Sequence, residues 1–247
     1  SNDAIAAISK VSHDIVATTA PEVKNEYIPH AVSEEWFKPS SPEQILEFRQ
    51  QSLHPEDINK VIFFWNNRNA RRKQSGTLIW WFSEWLDKNN LHDKAQLLMH
   101  TEPRDPHGQD LEHIINHLGL NKRQVLLSTQ KVPPEHLAAM YNMVDCTVNI
   151  SDAEGFGLST LESLSCATPI IVNMTGGLQE QVTDGKEFFG VGLMPTAKAI
   201  IGSQEVPYIY EDRVDKGQFF SALSKIYYCS AEARREMGLK GLQHVKN

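Results

Sequence analysis

Apolar residues fall in short strand-length runs separated by stretches with helical spacing. Residues 61–65 (Val-Ile-Phe-Phe-Trp) and 96–99 read as strands, and residues 144–150 form another, in which β-branched and polar positions alternate. Residues 77–86 place Leu78, Trp81, Phe82, Trp85 and Leu86 on one helical stripe, a pattern that more often packs a core than presents a carbohydrate platform; Trp80 falls outside it. Residues 158–167 carry Leu158, Leu161, Leu164 and Ala167 at helical intervals. The alternation of strand and helix runs through residue 185 and predicts an α/β fold: a Rossmann-like parallel sheet with helices on both faces and ligands at the carboxyl ends of its strands. Pro39-Ser40-Ser41-Pro42 marks the entry to this unit.

Residues 154–162 read Glu-Gly-Phe-Gly-Leu-Ser-Thr-Leu-Glu, at the turn from the 144–150 strand into the 158–167 helix. Gly155 and Gly157 allow backbone conformations closed to other residues, and the free amides of the helix's first turn, from Gly157 through Leu158 to Ser159, favour an anion. Glu154 can accept hydrogen bonds from vicinal hydroxyls, and Glu162 lies one turn into the helix. Carboxylates suit sugars and ribose; the amides suit phosphate. A capped core helix with a surface Glu at each end is the plain alternative.

Upstream, the strand at 61–65 breaks into Asn66-Asn67-Arg68-Asn69-Ala70-Arg71-Arg72-Lys73, four cations in one loop. Arg offers a planar fork and Lys a mobile point charge, the pair that a diphosphate site needs. A solvated basic turn or a nucleic-acid patch would read the same way.

Composition narrows these choices. The chain carries 24 basic against 31 acidic side chains, so the basic loop runs against the average and a nucleic-acid partner is disfavoured. Hydrophobic residues make up 40% of its 247 residues, enough for a real core, and no apolar run approaches the roughly 18 residues of a membrane span. The start lacks the pattern of a secretory leader, and Cys146, Cys166 and Cys229 form no Cys-X-X-Cys pair, so the expected setting is cytoplasmic with reduced thiols and no zinc. His113 and His117 have ligand spacing on a helix but no third ligand nearby, and no metal site is expected.

Taken in order, these segments resemble the C-terminal, donor-binding domain of the group-1 retaining GT-B glycosyltransferases, one half of a GT-B fold. Ile28-Pro29-His30-Ala31-Val32 with Trp36-Phe37-Lys38-Pro39 is similar to that family's interdomain linker, and Arg68 and Lys73 fall five apart as its phosphate-binding pair does. Val132-Pro133 with Leu137, Met140-Tyr141 and Val144-Asp145 resembles the segment that carries the nucleotide base. The Glu154 to Glu162 motif follows, then Thr175-Gly176-Gly177 with Glu180, like the family's Gly-Gly-X-X-Glu turn. The departures are Asn67 and Gln74, where the family often has Gly, His30-Ala31 in place of Asn-Gly, and His100-Thr101-Glu102-Pro103, where glycines commonly sit near the nucleotide. Residues 188–215, with Val206-Pro207-Tyr208-Ile209-Tyr210, are longer than the usual turn there, and the sequence assigns them no role.

The resemblance implies retaining sugar transfer from a nucleotide-sugar donor (UDP-, GDP- or ADP-linked) to an acceptor hydroxyl, without metal or other cofactor. It implies Arg68, Lys73 and Glu154 as catalytic residues, and Val132, Gly155, Phe156, Gly157, Leu158, Ser159 and Glu162 as donor contacts. Arg68 and Lys73 would meet the leaving diphosphate, Glu154 the sugar hydroxyls, Glu162 the ribose and the Val132 backbone the base. It divides the chain into residues 1–38, a remnant of the acceptor domain with the linker, and residues 39–247, the donor domain. On this expectation the acceptor (glycan, lipid or protein) meets an absent N-terminal domain, the chain alone binds but turns over poorly, and peripheral membrane association stays open for a longer protein. Two rivals remain: a non-catalytic nucleotide-sugar or glycan-binding module, and a phosphorylase-like enzyme, for whose pyridoxal cofactor no lysine context is recognisable.

Overall fold

The computed structural model describes residues 3–246, and from its first element to residue 193 strand and helix alternate without interruption. The order is β1 (Ala4–Ala7), α1 (Lys10–Thr19), β2 (Lys24–Tyr27), α2 (Pro42–Ser52), β3 (Val61–Asn66), α3 (Ser75–Asn89), β4 (Ala95–His100) and α4 (Leu111–His117). There follow β5 (Val125–Ser128), α5 (Pro134–Met143), β6 (Cys146–Asn149), α6 (Leu158–Ser165), β7 (Ile170–Asn173), α7 (Leu178–Val182) and β8 (Gly190–Leu193). The chain finishes with β9 (Ala197–Ile201), β10 (Ile209–Arg213), α8 (Lys216–Tyr228) and α9 (Ala231–Val245).

Strands β3 to β8 form one parallel sheet in the order β5-β4-β3-β6-β7-β8. The strands are mostly apolar on both sides because helices cover both faces, with Gln96, Thr147 and Asn149 among the buried polar exceptions. Phe63 and Trp65 point from β3 into a cluster with Leu78, Phe82, Trp85 and Leu86 of α3 and Phe219, Leu223 and Ile226 of α8. Ile62 and Phe64 point the other way, onto Met140, Tyr141 and Met143 of α5. Further along that second face Ile170 and Val172 pack on Leu164, Leu178 and Val182. Outside the main sheet, β1 and β2 make a parallel pair joined through α1, and β9 and β10 an antiparallel hairpin.

Several elements differ from the sequence expectation. The strand read at 144–150 shortens to Cys146–Asn149, because Val144 ends α5 and the Asp145 carboxylate accepts the Ile62 amide at 2.9 Å. The helix read to Ala167 ends at Ser165, and Ala167 turns into the left-handed region at φ 57°. On α3, Trp81 is only half-buried, lying beside Phe219, while Ile79 joins the core; Trp80 is exposed, with the Lys216 ammonium 5.2 Å from its ring centre.

Helix α9 packs on α6 through a close approach at Gly238, where an added Cβ would overlap the Ala167 carbonyl. Two effects oppose each other in Gly238→Ala: helix propensity gains about 1 kcal/mol, while overpacking against rigid backbone costs roughly 1–3 kcal/mol. We expect the clash to win by about 1–2 kcal/mol, read as a lower urea midpoint at unchanged slope; a raised midpoint would place α9 further from α6.

Candidate functional site

Where the strand order reverses, between β3 and β6, the two loops leaving their carboxyl ends diverge and a cavity of about 500 Å3 opens. The loop after β3 contributes Asn66, Asn67, Arg72 and Lys73. The loop after β6 contributes Glu154, Gly155 and Phe156, followed by Gly157, Leu158 and Ser159 at the start of α6, with Glu162 one turn in. Ile8 and His30 close one side, the His30 ring edge-on to Phe156 at 5.1 Å. Gly157 adopts φ 95°, a left-handed conformation, and no side chain caps α6, so its first-turn amides are free to meet an anion.

Charge concentrates at one point. Lys73 is buried, and its ammonium bonds both Asn67 Oδ1 at 2.9 Å and the Glu154 carboxylate. Burial pulls the Lys73 ammonium below its ordinary range, and the Glu154 carboxylate opposes that shift. The Arg72 guanidinium lies 3.6 Å from Glu154 and donates to the Ala153 carbonyl at 2.5 Å. Asn67 Nδ2 is buried without a partner, an orphan donor in the wall of the cavity.

Glu162 anchors a second polar line. It accepts the Tyr141 hydroxyl at 2.7 Å, and that hydroxyl accepts from Asn66 Nδ2 at 2.8 Å. Burial pushes the Glu162 carboxyl up, with the Tyr141 bond acting against it; burial and the Glu162 charge push the Tyr141 phenol well up. Leu158, expected on the apolar face of the helix, is exposed at the cavity mouth.

Eight of the ten residues singled out in the sequence therefore line one cavity: Lys73, Glu154, Gly155, Phe156, Gly157, Leu158, Ser159 and Glu162. Two do not. Arg68 points to solvent and clasps Asp105 with two bonds, at 2.6 and 3.1 Å, so the arginine beside Lys73 in the cavity is Arg72. The five-residue spacing to Lys73 misled because a single 3-10 turn, Arg71–Lys73, swings the loop and brings Arg72 inward. Val132 packs against the cluster of Phe64, Met140 and Tyr141 and does not line the cavity. Asn67, Tyr141 and His30 also belong to the site; Asn67 and Arg72 were visible as members of the polar loop and Tyr141 within the segment resembling the base carrier, but no sequence pattern linked its hydroxyl to Glu162. Gln74, at the position where the resemblance expects Gly, is left-handed at φ 57°. Its side chain compensates, donating to Asp152 and accepting from Thr77 Oγ1 at 2.6 Å.

At the neighbouring strand ends His100 Nδ1 lies 2.9 Å from Ser128 Oγ, and burial followed by His136 holds the His100 ring below its ordinary range. Another cavity, of about 490 Å3, lies at the opposite, amino ends of the strands between α2, α5 and α9. There Arg49 and Arg234 each contact Asp145 at 2.9 Å, so one carboxylate is shared by two guanidinium groups.

This architecture is the Rossmann-like half of a GT-B fold. The chain belongs to the glycosyl transferases group 1 family, which it matches over residues 44–200. Among curated relatives it is 29% identical over 162 residues to a D-inositol 3-phosphate glycosyltransferase of Corynebacterium jeikeium, covering 64% of this chain and 38% of that protein. It is 32% identical over 88 residues, 33% of this chain and 22% of the relative, to a GDP-mannose-dependent alpha-(1-6)-phosphatidylinositol monomannoside mannosyltransferase of Mycolicibacterium smegmatis. The chain thus spans well under half the length of these relatives. Among solved structures, sucrose-phosphate synthase from Thermosynechococcus elongatus superposes with a TM-score of 0.76 at 22% identity, over 100% of this chain and 54% of that one. The Anabaena protein HepE in complex with UDP-glucose gives 0.74 at 16% identity, over 99% and 59%. The C-terminal domain of LpcC, a group 1 family protein from Francisella tularensis, gives 0.63 at 19% identity, over 87% and 97%. Among the described residues no helix is long and apolar enough to cross a membrane.

Asp152, two residues before Glu154, is buried, and its carboxyl is pushed from an ordinary 3.8 up to about 6, mainly by burial, against the Gln74 bond and the Arg213 charge. The folded protein therefore holds a proton that the unfolded chain has released between about pH 4 and 6, and this group's contribution to stability falls as pH rises through that window. We expect Asp152→Asn to gain on the parent by about 1–2 kcal/mol between pH 4 and 7, less than the full shift implies because the partner Arg213 is partly solvated. Chemical denaturation across that range checks it; a parallel pair of stability profiles would refute it.

Proposed function

We propose that this cavity binds the nucleotide-sugar donor of a retaining glycosyltransferase, and that the chain is the donor-binding part of such an enzyme. The observation that carries the reading is the Lys73–Glu154 pair standing at the uncapped start of α6, with Arg72 and the orphan Asn67 amide beside it. A leaving diphosphate needs positive charge that is already in place when the sugar bond breaks, and Lys73, Arg72 and the amides from Gly157 to Ser159 supply it without further rearrangement of the backbone. Glu154 then faces the sugar, accepting its hydroxyls or stabilising the oxocarbenium-like centre. Glu162, raised by burial, gains from a hydroxyl pair that hydrogen-bonds its charged form, as ribose does.

In this reading the acceptor hydroxyl, from a glycan, lipid or protein, reaches the sugar from the open side of the cavity, and no cofactor beyond the donor takes part. The relatives' names support sugar transfer in general, and the HepE neighbour's complex with UDP-glucose supports a nucleotide-sugar ligand for this fold. The base, the sugar and the acceptor are left to measurement.

Calorimetry with UDP, GDP and ADP tests the reading. One of them should bind, and Glu162→Ala should weaken it by about one to two decades, the loss expected for a buried charged hydrogen-bond partner. An unchanged dissociation constant would remove Glu162 from the site. The same titration decides between the two arginines. Arg72→Ala should weaken binding about tenfold and Arg68→Ala by less than about threefold, because an exposed ion pair such as Arg68 with Asp105 holds little energy. The reverse order would mean that Arg68 leaves Asp105 for the phosphate.

A further inference from the structure

Residues 188–215, without a role in the sequence, contain the hairpin of β9 and β10, whose strands pair with each other and not with the main sheet. Its outer half is unpacked: Ile200, Tyr208 and Tyr210 each expose more than three-fifths of their surface. Its root is the reverse, a polar strand tied into three loops. To the loop after β6, Asp212 N donates to the Asp152 carbonyl at 2.8 Å and Arg213 Nη1 to the Asp152 carboxylate at 2.6 Å. To the loop after β3, the buried Glu211 accepts Arg71 on both oxygens, at 3.0 and 3.4 Å, while Arg213 shares Oε2 at 3.0 Å. To the loop after β7, Asp212 accepts Thr175 Oγ1 at 2.7 Å and its carbonyl accepts Asn173 Nδ2 at 3.0 Å.

Those three loops are the ones that shape the candidate donor cavity. The first presents Arg72 and Lys73, the second presents Glu154, and the third holds Glu154 in place through the bond from Gly177 N to the Glu154 carbonyl at 3.2 Å. Asp152 joins them directly, since its amide donates to the Arg72 carbonyl at 2.8 Å and its carboxylate accepts the side chain of the left-handed Gln74. We propose that β10 is a strut that sets the relative position of the three donor loops, with Arg213 and Asp152 as its positioning residues. The proposal rests on reading the cavity as the donor site, and it explains why a hairpin with an unpacked tip has a fully bonded root. The charged groups around the Asp152 carboxylate are Arg213 and Glu211 from β10 and Arg71 from the loop after β3, so a substitution at Arg213 unbalances all of them together.

Hydrogen exchange on the whole chain tests the strut without any ligand. In Arg213→Ala, amides at residues 71–75, 151–157 and 174–178 should exchange about tenfold faster, with the central strands unchanged; Arg213→Lys should recover part of that protection and Tyr208→Ser, exposed in the turn between the two strands, should change none of it. Unchanged rates in those segments, or a uniform rise across the chain, overturn the proposal. Calorimetry with UDP, GDP and ADP then separates the two readings. If one binds the parent, Arg213→Ala should weaken it about tenfold, and unaltered affinity despite loosened loops would overturn the positioning role. If none binds the parent while the three loops loosen as expected, the strut stands and the donor reading falls.

Discussion

Parallel strands all end on the same edge, and in this protein the apolar pattern stops there. The final residues of β3, β4, β5, β6 and β7 are Asn66, His100, Ser128, Asn149 and Asn173. Polar groups at the rim of a buried sheet must find partners, and each draws in a loop. Asn66 bonds Tyr141 and through it Glu162, His100 meets Ser128, Asn149 accepts Ser151 Oγ at 2.5 Å, and Asn173 ties Ser151 to Asp212. The loops are short and converge because these end residues hold them. Four of the nine buried side-chain polar atoms without a partner among the described residues lie on this edge: Asn67 Nδ2, Thr101 Oγ1, Asn149 Nδ2 and Asn173 Oδ1. An edge that is nearly but not wholly satisfied is suited to a polar ligand.

The Lys73–Glu154 pair acquires meaning in that setting. Two charges, each about nine-tenths shielded, stabilise each other, and separating them leaves both desolvated and uncompensated. A ligand enters without that cost only if it brings an anion for Lys73 and hydroxyls for Glu154 together. On the proposed reading, a nucleoside diphosphate linked to a sugar offers both, whereas a bare phosphate or a bare sugar offers one, so the pair would select for two kinds of group at once.

The parts of this arrangement legible in the sequence were those governed by local periodicity. The α/β alternation, the turn at Gly155 and Gly157 and the stripe through Leu78, Trp81, Phe82, Trp85 and Leu86 follow from period and glycine placement, and all but the half-buried Trp81 lie where that reading put them. Arg68 was misplaced because spacing along a loop says nothing of its path: Asn69, fully buried and bonded to the Pro103 and Gln109 carbonyls, and the 3-10 turn after it decide which arginine faces inward. The role of Tyr141 was hidden because an aromatic in a helix looks like core until its hydroxyl is seen to meet Glu162. The hairpin was illegible for a different reason. Its fixing contacts join Arg213 to Asp152 and Glu211 to Arg71, 61 and 140 residues apart, and no local pattern encodes a partner at such distance.

The two ends of the sheet show why the carboxyl edge is the functional one. Each has a largely shielded carboxylate that bonds arginine. At the amino edge Asp145 receives Arg49, Arg234 and the Ile62 amide, and the arginines finish their bonding on backbone carbonyls of neighbouring helices and turns. That network binds α2, β3, β6 and α9 to one another, and its groups have nothing left to offer a ligand. At the carboxyl edge Asp152 also has a cation and a second donor, yet its carboxyl stays near 6, so its surroundings leave its charge incompletely stabilised. Stability alone would favour an uncharged side chain at that position. At Asp152 a carboxylate disfavoured by burial lies between the loops that carry Lys73 and Glu154, and its bonds to Arg213 and Gln74 join those loops to β10.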